Sequence, residues 1–152
     1  MPPLKICMIH GYLLTGTGSN IFVNNLVRSF CRLGHRVLLF CQERHPEDRD
    51  FVSRHSVFEP GNRSYRTLFT RDTPYAGKCT LFNPDIGGLL PVYVYDEYEG
   101  FRVKTFSEMK LAEIEDYVRG NVSALETIYR EDGFELVQAN HVIMSPYIAR
   151  EM

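Results

Sequence analysis

The sequence predicts an α/β fold with a mostly parallel sheet and flanking helices, and its first 42 residues carry most of this prediction. Residues 4–9 and 37–41 are short apolar runs typical of buried strands. Between them lie a glycine-spaced loop, 10–18, and a stretch with helical spacing of apolar residues, about 20–33. A strand, a helix and a second strand in this order form a βαβ unit, so we expect a Rossmann-like sheet.

The boundaries of the first helix follow from local signals. Ser19 is the expected N-cap and Gly34 the stop signal. One face of the helix is apolar, with Phe22, Val23, Leu26, Val27, Phe30 and Leu33. The second strand is expected at about 36–42.

The middle of the chain, 43–104, is interpreted as a hairpin-containing insert. The expected segments are a charged loop at 43–50 with up to one helical turn reaching Arg54, a short strand at 56–59, a long excursion outside the sheet at 60–77, a strand at 78–82, a turn-rich loop at 83–88, and a hairpin of 91–96 with 101–104.

Regular structure is expected again after Thr105, which has capping-box spacing to Glu108. A helical stripe runs to about Arg130 through Gly120, and a buried strand follows at 134–139. Ser145–Pro146 predicts another helix start. Because that helix has few residues before Met152, we expect residues 1–152 to be a single domain and a fragment of a longer protein.

Composition excludes several classes of protein. The net charge is −2 with both signs interspersed, so no nucleic-acid-binding face is expected. No window approaches the about 18 apolar residues of a membrane span, and the N-terminus lacks a signal-peptide layout. The four cysteines are widely spaced and mostly within core elements, which favours reduced thiols, no zinc site and a cytoplasmic location.

The first candidate site is the glycine loop with Gly16, Thr17, Gly18 and Ser19. These residues precede a helix N-terminus, whose free N–H groups favour an anion such as a phosphate. A mobile loop without a ligand is the structural alternative. A dinucleotide fingerprint is a second alternative: Glu43 could hold a ribose, but Ile21 replaces the third glycine and the loop is long.

The second candidate site is Asn140 with His141, at the carboxyl end of the last strand. Ligands of open α/β sheets bind at this edge, and a histidine there could contact a sugar hydroxyl or polarise a reacting group. A capping role is the alternative. His10 also follows a strand, but we expect it to be structural. His35, His45 and His55 are expected at the surface or beside strands.

A third feature is the group of Tyr93, Tyr95 and Tyr98. Aromatic faces can stack on sugar rings, but the alternation of Tyr93 and Tyr95 is that of an ordinary strand face, so core packing or a partner surface is favoured.

Four stretches together resemble the N-terminal half of family 4 glycosyltransferases, retaining enzymes of the GT-B fold. They are 5–9, 15–20, the helix end with Gly34-His35-Arg36-Val37, and 134–141. The resemblance covers 4–42 and about 105–152. It implies one half of a GT-B fold, with the glycine loop facing the diphosphate of a nucleotide sugar. The family's strand-end histidine aligns with Asn140, and His141 lies one place later, so either fits that role.

The resemblance also implies partners and limits. The donor would be a nucleotide diphosphate sugar and the acceptor a small molecule, glycan or lipid, with neither metal nor other cofactor and with peripheral membrane association left open. The donor-binding C-terminal domain is not among these residues, so the isolated chain is expected to be inactive. Two other functions stay open: an NAD(P)-binding oxidoreductase domain and a non-catalytic Rossmann-like binding module.

Overall fold

The computed structural model describes residues 2–141 and 144–152. The chain forms eight strands, three α-helices and one short 3-10 helix at Pro46–Asp48 within these residues. The strands are β1 (Lys5–Ile9), β2 (Arg36–Phe40), β3 (Val52–Phe58), β4 (Tyr65–Thr70), β5 (Lys78–Asn83), β6 (Leu89–Val92), β7 (Arg102–Thr105) and β8 (Leu136–Ala139). The helices are α1 (Gly18–Arg32), α2 (Leu111–Glu131) and α3 (Ser145–Glu151).

Six strands form one sheet in the order β4-β3-β5-β2-β1-β8. Every neighbouring pair is parallel except β3 with β4. The chain leaves β1 toward β2 on one side and returns to β8 on the other. The predicted mostly parallel, Rossmann-like α/β fold is therefore confirmed, and its switch of strand order lies between β1 and β8.

The core has two halves because neighbouring side chains of β1 point to opposite faces of the sheet. Ile6 and Met8 pack on one face, where α1 contributes Val23, Val27 and Cys31. Cys7 and Ile9 pack on the other, with Ala124, Leu125 and Ile128 of α2 and Ile148 of α3. The sheet is therefore covered on both faces.

The first helix begins two residues earlier than predicted. Thr17, not Ser19, is the N-cap: its Oγ1 accepts a hydrogen bond from the Asn20 backbone N–H, at 3.4 Å. Ser19 lies inside the first turn. The stop at Gly34 is confirmed, since this residue has a φ of +88° and follows the C-cap residue Leu33.

Two predictions for the insert are wrong. Residues 60–77 do not lie outside the sheet, because β4 is an edge strand paired with β3, and β3 itself is longer than 56–59. The pair β6 and β7 is parallel and so is not a hairpin. The insert does contain a hairpin, formed by β3 and β4 around Gly61 and Asn62, both at positive φ.

The C-terminal third differs from prediction in two details. The Glu108 carboxylate does accept a hydrogen bond from the Thr105 N–H, but this closes a separate turn, and α2 begins only after Lys110. β8 is an edge strand rather than a buried one, and 47% of Leu136 is exposed. The predicted helix at Ser145–Pro146 is present as α3.

Two further observations concern environment. Within the part of the chain that the structure describes, no helix combines the length and apolarity needed to cross a bilayer. All four cysteines are buried free thiols, one more than the three that the sequence places in core elements.

Candidate functional site

The candidate site lies where the carboxyl ends of β1 and β8 meet. His10 directly follows β1, and Asn140 and His141 directly follow β8. The glycine loop leaves this edge and enters α1. Because β1 and β8 are neighbours at the switch of strand order, the topology brings both predicted sites to the same end of the sheet, the region called the crevice below.

His10 is completely buried, and its hydrogen bonds define its tautomer. Nε2 lies 2.9 Å from the Leu13 carbonyl oxygen and 3.0 Å from Oδ1 of Asn20. Both atoms are acceptors, so Nε2 carries the proton and Nδ1 has a free lone pair. Nδ1 is buried and has no hydrogen-bond partner among the described residues. Burial lowers the pKa of His10 to about 4, and nearby His141 lowers it as well, so the ring is neutral near pH 7.

His141 stacks on His10. The two ring centroids are 5.3 Å apart with an angle of 17° between the planes, and Tyr12 meets His141 edge-on at 4.9 Å. His141 has a φ of +68°, an unusual conformation for a residue other than glycine. Its Nε2 is buried without a partner in the described chain, and burial lowers its pKa.

Asn140 has a different role in the geometry. Its backbone N–H and its side-chain Nδ2 both donate to the Ile9 carbonyl oxygen, at 2.9 and 3.5 Å. This residue therefore fastens the end of β8 to the end of β1. Of the two residues that the sequence proposes for the strand-end role, His141 is the one with an unengaged ring nitrogen.

The glycine loop presents an exposed helix N-terminus. Gly16, Thr17, Gly18 and Ser19 are all exposed, and a Cβ added at Gly16 or Gly18 would meet nothing within 4 Å. The backbone N–H groups of Gly18 and Ser19 have no partner within the described residues. This open surface, at the positive end of the α1 dipole, is suited to an anion.

Asn20 couples the loop to the histidine pair. It is buried, its Nδ2 donates to the Thr15 carbonyl oxygen at 2.6 Å, and its Oδ1 accepts from His10. The loop and the His10 ring are therefore joined through one side chain. His10 is buried and hydrogen-bonded within the fold, whereas the role of Asn20 has no signal in the sequence.

Glu43 is not free to hold a ribose. Its carboxylate is buried, and Oε2 accepts from the Leu14 N–H at 2.9 Å. Oε1 accepts from the backbone N–H groups of Arg44 and His45. These bonds fix the loops after β1 and β2. The Glu43 carboxylate is therefore already engaged and does not serve as the ribose-binding residue that the dinucleotide alternative requires.

The remaining histidines and tyrosines lie apart from the crevice or at its margin. His45 is exposed, but His35 and His55 are buried and hydrogen-bonded, to the Leu4 N–H and to Asn83 respectively. Tyr93 and Tyr95 are 72% and 58% exposed, so core packing is wrong for them. In the part of the chain that is described, no three His, Cys, Asp or Glu side chains are grouped to hold a metal ion.

Comparison of the chain with protein-family models, with curated proteins and with solved structures gives no match.

Proposed function

We propose that this chain is the acceptor-side domain of a retaining glycosyltransferase that uses a nucleotide diphosphate sugar. The observation that carries the proposal is the meeting of an open, glycine-lined helix N-terminus and a stacked histidine pair at one strand-end crevice. The resemblance of 4–42 and 105–152 to family 4 glycosyltransferases supports the same assignment. The nucleotide-binding half of the cleft would come from a second domain.

In this proposal the glycine loop stabilises the leaving group. Negative charge develops on the departing diphosphate, and the free N–H groups of Gly18 and Ser19 would donate to its oxygens. Glycine at position 18 lets the backbone approach a phosphate without an intervening side chain. The amides are preorganised because the N-cap Thr17 fixes the start of α1.

The histidine pair would orient the transferred sugar. His141 has an unengaged Nε2, and its ring is held between His10 and Tyr12. A neutral imidazole can donate or accept a hydrogen bond to a sugar hydroxyl without placing a positive charge in the crevice. His10 is a positioning residue, since it acts on the sugar through His141.

Nuclear magnetic resonance titration with pyrophosphate and with UDP tests the proposal. We expect millimolar binding, with the largest amide shifts at Gly16–Ser19, and loss of these shifts in Gly18→Val. Gly18 has no positive φ and open space beside it, so the larger side chain blocks the ligand without straining the fold. Ser29→Ala, near the other end of α1, is the control and should bind normally.

Two results would overturn the proposal. One is the absence of localised shifts at the glycine loop at millimolar pyrophosphate. The other is binding of NAD at least as tight as that of UDP, which would restore the dinucleotide alternative.

A further inference from the structure

A cavity of about 450 Å³ opens beside the histidine site. Its walls come from five segments: the β3–β4 turn, the loop after β5, the start of β6, β7 and the first half of α2. Its volume lies within the range of small-molecule sites, and it would accommodate a monosaccharide. Neither the glycine loop nor the histidine pair lines it.

Asn62 holds the base of this cavity in place. The side chain is buried, its Nδ2 donates to the Asp85 carbonyl oxygen, and its Oδ1 accepts from the Asp85 N–H, both at 2.8 Å. The Asn62 carbonyl oxygen accepts from Thr127 of α2 at 3.0 Å. Three segments of the chain are thus joined through one residue, so the cavity is preformed.

Tyr117 connects the cavity to the crevice. It lines the cavity, and its hydroxyl oxygen lies 3.2 Å from the position that a Cβ on Gly11 would occupy. Gly11 follows His10 directly in the chain. A molecule in the cavity would therefore lie one side chain away from the histidine site.

The charges around the cavity leave one positive charge in excess once Lys104, which is bonded to Glu113, is counted with the lining residues. Three arginines and three carboxylates line it: Arg63, Arg102, Arg119, Asp85, Glu113 and Asp116. Lys104 donates to both oxygens of Glu113, at 2.7 and 2.9 Å, so three arginines face the two remaining carboxylates, and one of these, Asp85, already accepts a hydrogen bond from the Gly87 N–H.

The arginines are only weakly engaged. Arg102 is 4.0 Å from Glu113, and the single contact between Arg119 and Asp116 is solvent-exposed. Arg63 makes no ion pair with any residue that the structure describes. Guanidinium groups in this state can bind a phosphate or carboxylate through paired hydrogen bonds.

We propose that this cavity binds the acceptor, and that the acceptor is a sugar or polyol carrying a phosphate or carboxylate. The anionic group contacts Arg63 and Arg102, and the ring packs against Tyr117 and Leu89. The assignment to an acceptor rests on the proposed transferase function, whereas the anion preference rests on the cavity alone.

Binding of simple sugars and sugar phosphates tests the anion preference of the cavity independently of the transferase function. We expect glucose 6-phosphate or glucuronate to bind about tenfold more tightly than glucose, as one added charge-assisted contact provides. Arg63→Gln and Arg102→Gln should each lower that affinity severalfold. Arg66→Gln, which removes an exposed arginine of β4 outside the cavity, is the matched control and should change nothing.

The proposal is wrong if glucose binds as tightly as glucose 6-phosphate, if inorganic phosphate alone binds as tightly as the sugar phosphate, or if Arg66→Gln has the same effect as Arg63→Gln. Gly18→Val should leave sugar-phosphate binding intact. Failure of pyrophosphate to bind, with sugar-phosphate binding retained, would therefore reject the transferase function and leave the anion site standing.

Discussion

The His10 imidazole couples the site to the pH dependence of folding. Burial lowers its pKa to about 4 from an ordinary value of 6.5, so the unfolded chain takes up a proton at higher pH than the folded chain. The contribution of the neutral ring to the free energy of unfolding is therefore complete above pH 6.5, the pKa of the unfolded chain. It is lost as the pH falls from there through about 4, the pKa of His10 in the folded chain. We expect a decrease on the order of 3 kcal/mol across this window, measured by denaturant unfolding.

The matched variants for this experiment are His10→Gln and His45→Gln. The first removes the buried titrating ring, and it should flatten the pH dependence between about 6.5 and 4. The second removes an exposed histidine and should leave the slope unchanged. A wild-type curve as flat as that of His10→Gln would contradict the expectation.

Some site residues were predictable because their position in the chain sets their position in space. His141 follows the end of β8, Gly18 begins the helix that the loop after β1 leads into, and parallel strands bring such ends together. Asn20 was not predictable as a link, because its contacts to Thr15 and His10 depend on the conformation of the loop. The engagement of Glu43 by the Leu14 N–H depends in the same way on a contact distant in sequence.

At the scale of the element, the glycine inside α2 has a packing cause. A Cβ at Gly120 would lie 3.2 Å from Nδ2 of Asn62 and 3.4 Å from the Asp85 carbonyl oxygen. Helix propensity alone predicts a gain of about 1 kcal/mol for Gly120→Ala. We expect the close contact with the β3–β4 turn to cancel that gain, and Gly120→Val to be destabilising in denaturant unfolding.

A double-mutant cycle isolates the contact. In an Asn62→Gly background the Asn62 side chain is absent while its positive φ remains favourable. Gly120→Ala should there recover most of the propensity gain. Equal effects of Gly120→Ala in both backgrounds would show that the Asn62 side chain does not limit this position.

The sequence predicts the helices and strands whose apolar residues recur at regular spacing. It does not predict those that are stabilised by contacts distant in sequence. The β1–α1–β2 unit has a clear apolar pattern and was predicted closely. β4 is an edge strand with most of its residues exposed, so its sequence lacks the alternation of a half-buried strand. The parallel direction of β6 and β7 is set by the path of 93–101, and no local pattern encodes it.

At the scale of the whole molecule, Asp132 ties the amino ends of three strands to the end of α2. Arg36 donates to both carboxylate oxygens, at 2.8 and 3.0 Å, and Lys5 and Arg54 lie within 3.8 Å. The carboxylate is mostly buried. This cluster lies near the amino ends of the strands, whereas the candidate site lies at their carboxyl ends.

We expect Asp132→Ala to lower the free energy of unfolding by about 1–3 kcal/mol, because it leaves several cations without their partner. Pyrophosphate binding should be unchanged, since the strand ends at the site are not touched. Asp72→Ala, which removes a fully exposed carboxylate, is the control and should cost almost nothing. Loss of pyrophosphate binding in Asp132→Ala would contradict this expectation, because it would show that the amino and carboxyl ends of the strands are coupled.

The buried cysteines give the molecule an internal reporter of its own opening. Burial raises the pKa of all four thiols, that of Cys31 to about 12, so very little reactive thiolate is present in the closed state. Cys31 is part of α1, Cys41 and Cys79 lie in the half of the core that α1 covers, and Cys7 lies in the half that α2 and α3 cover. The order in which a thiol reagent labels them would therefore reveal which helical layer lifts from the sheet first, without any engineered probe.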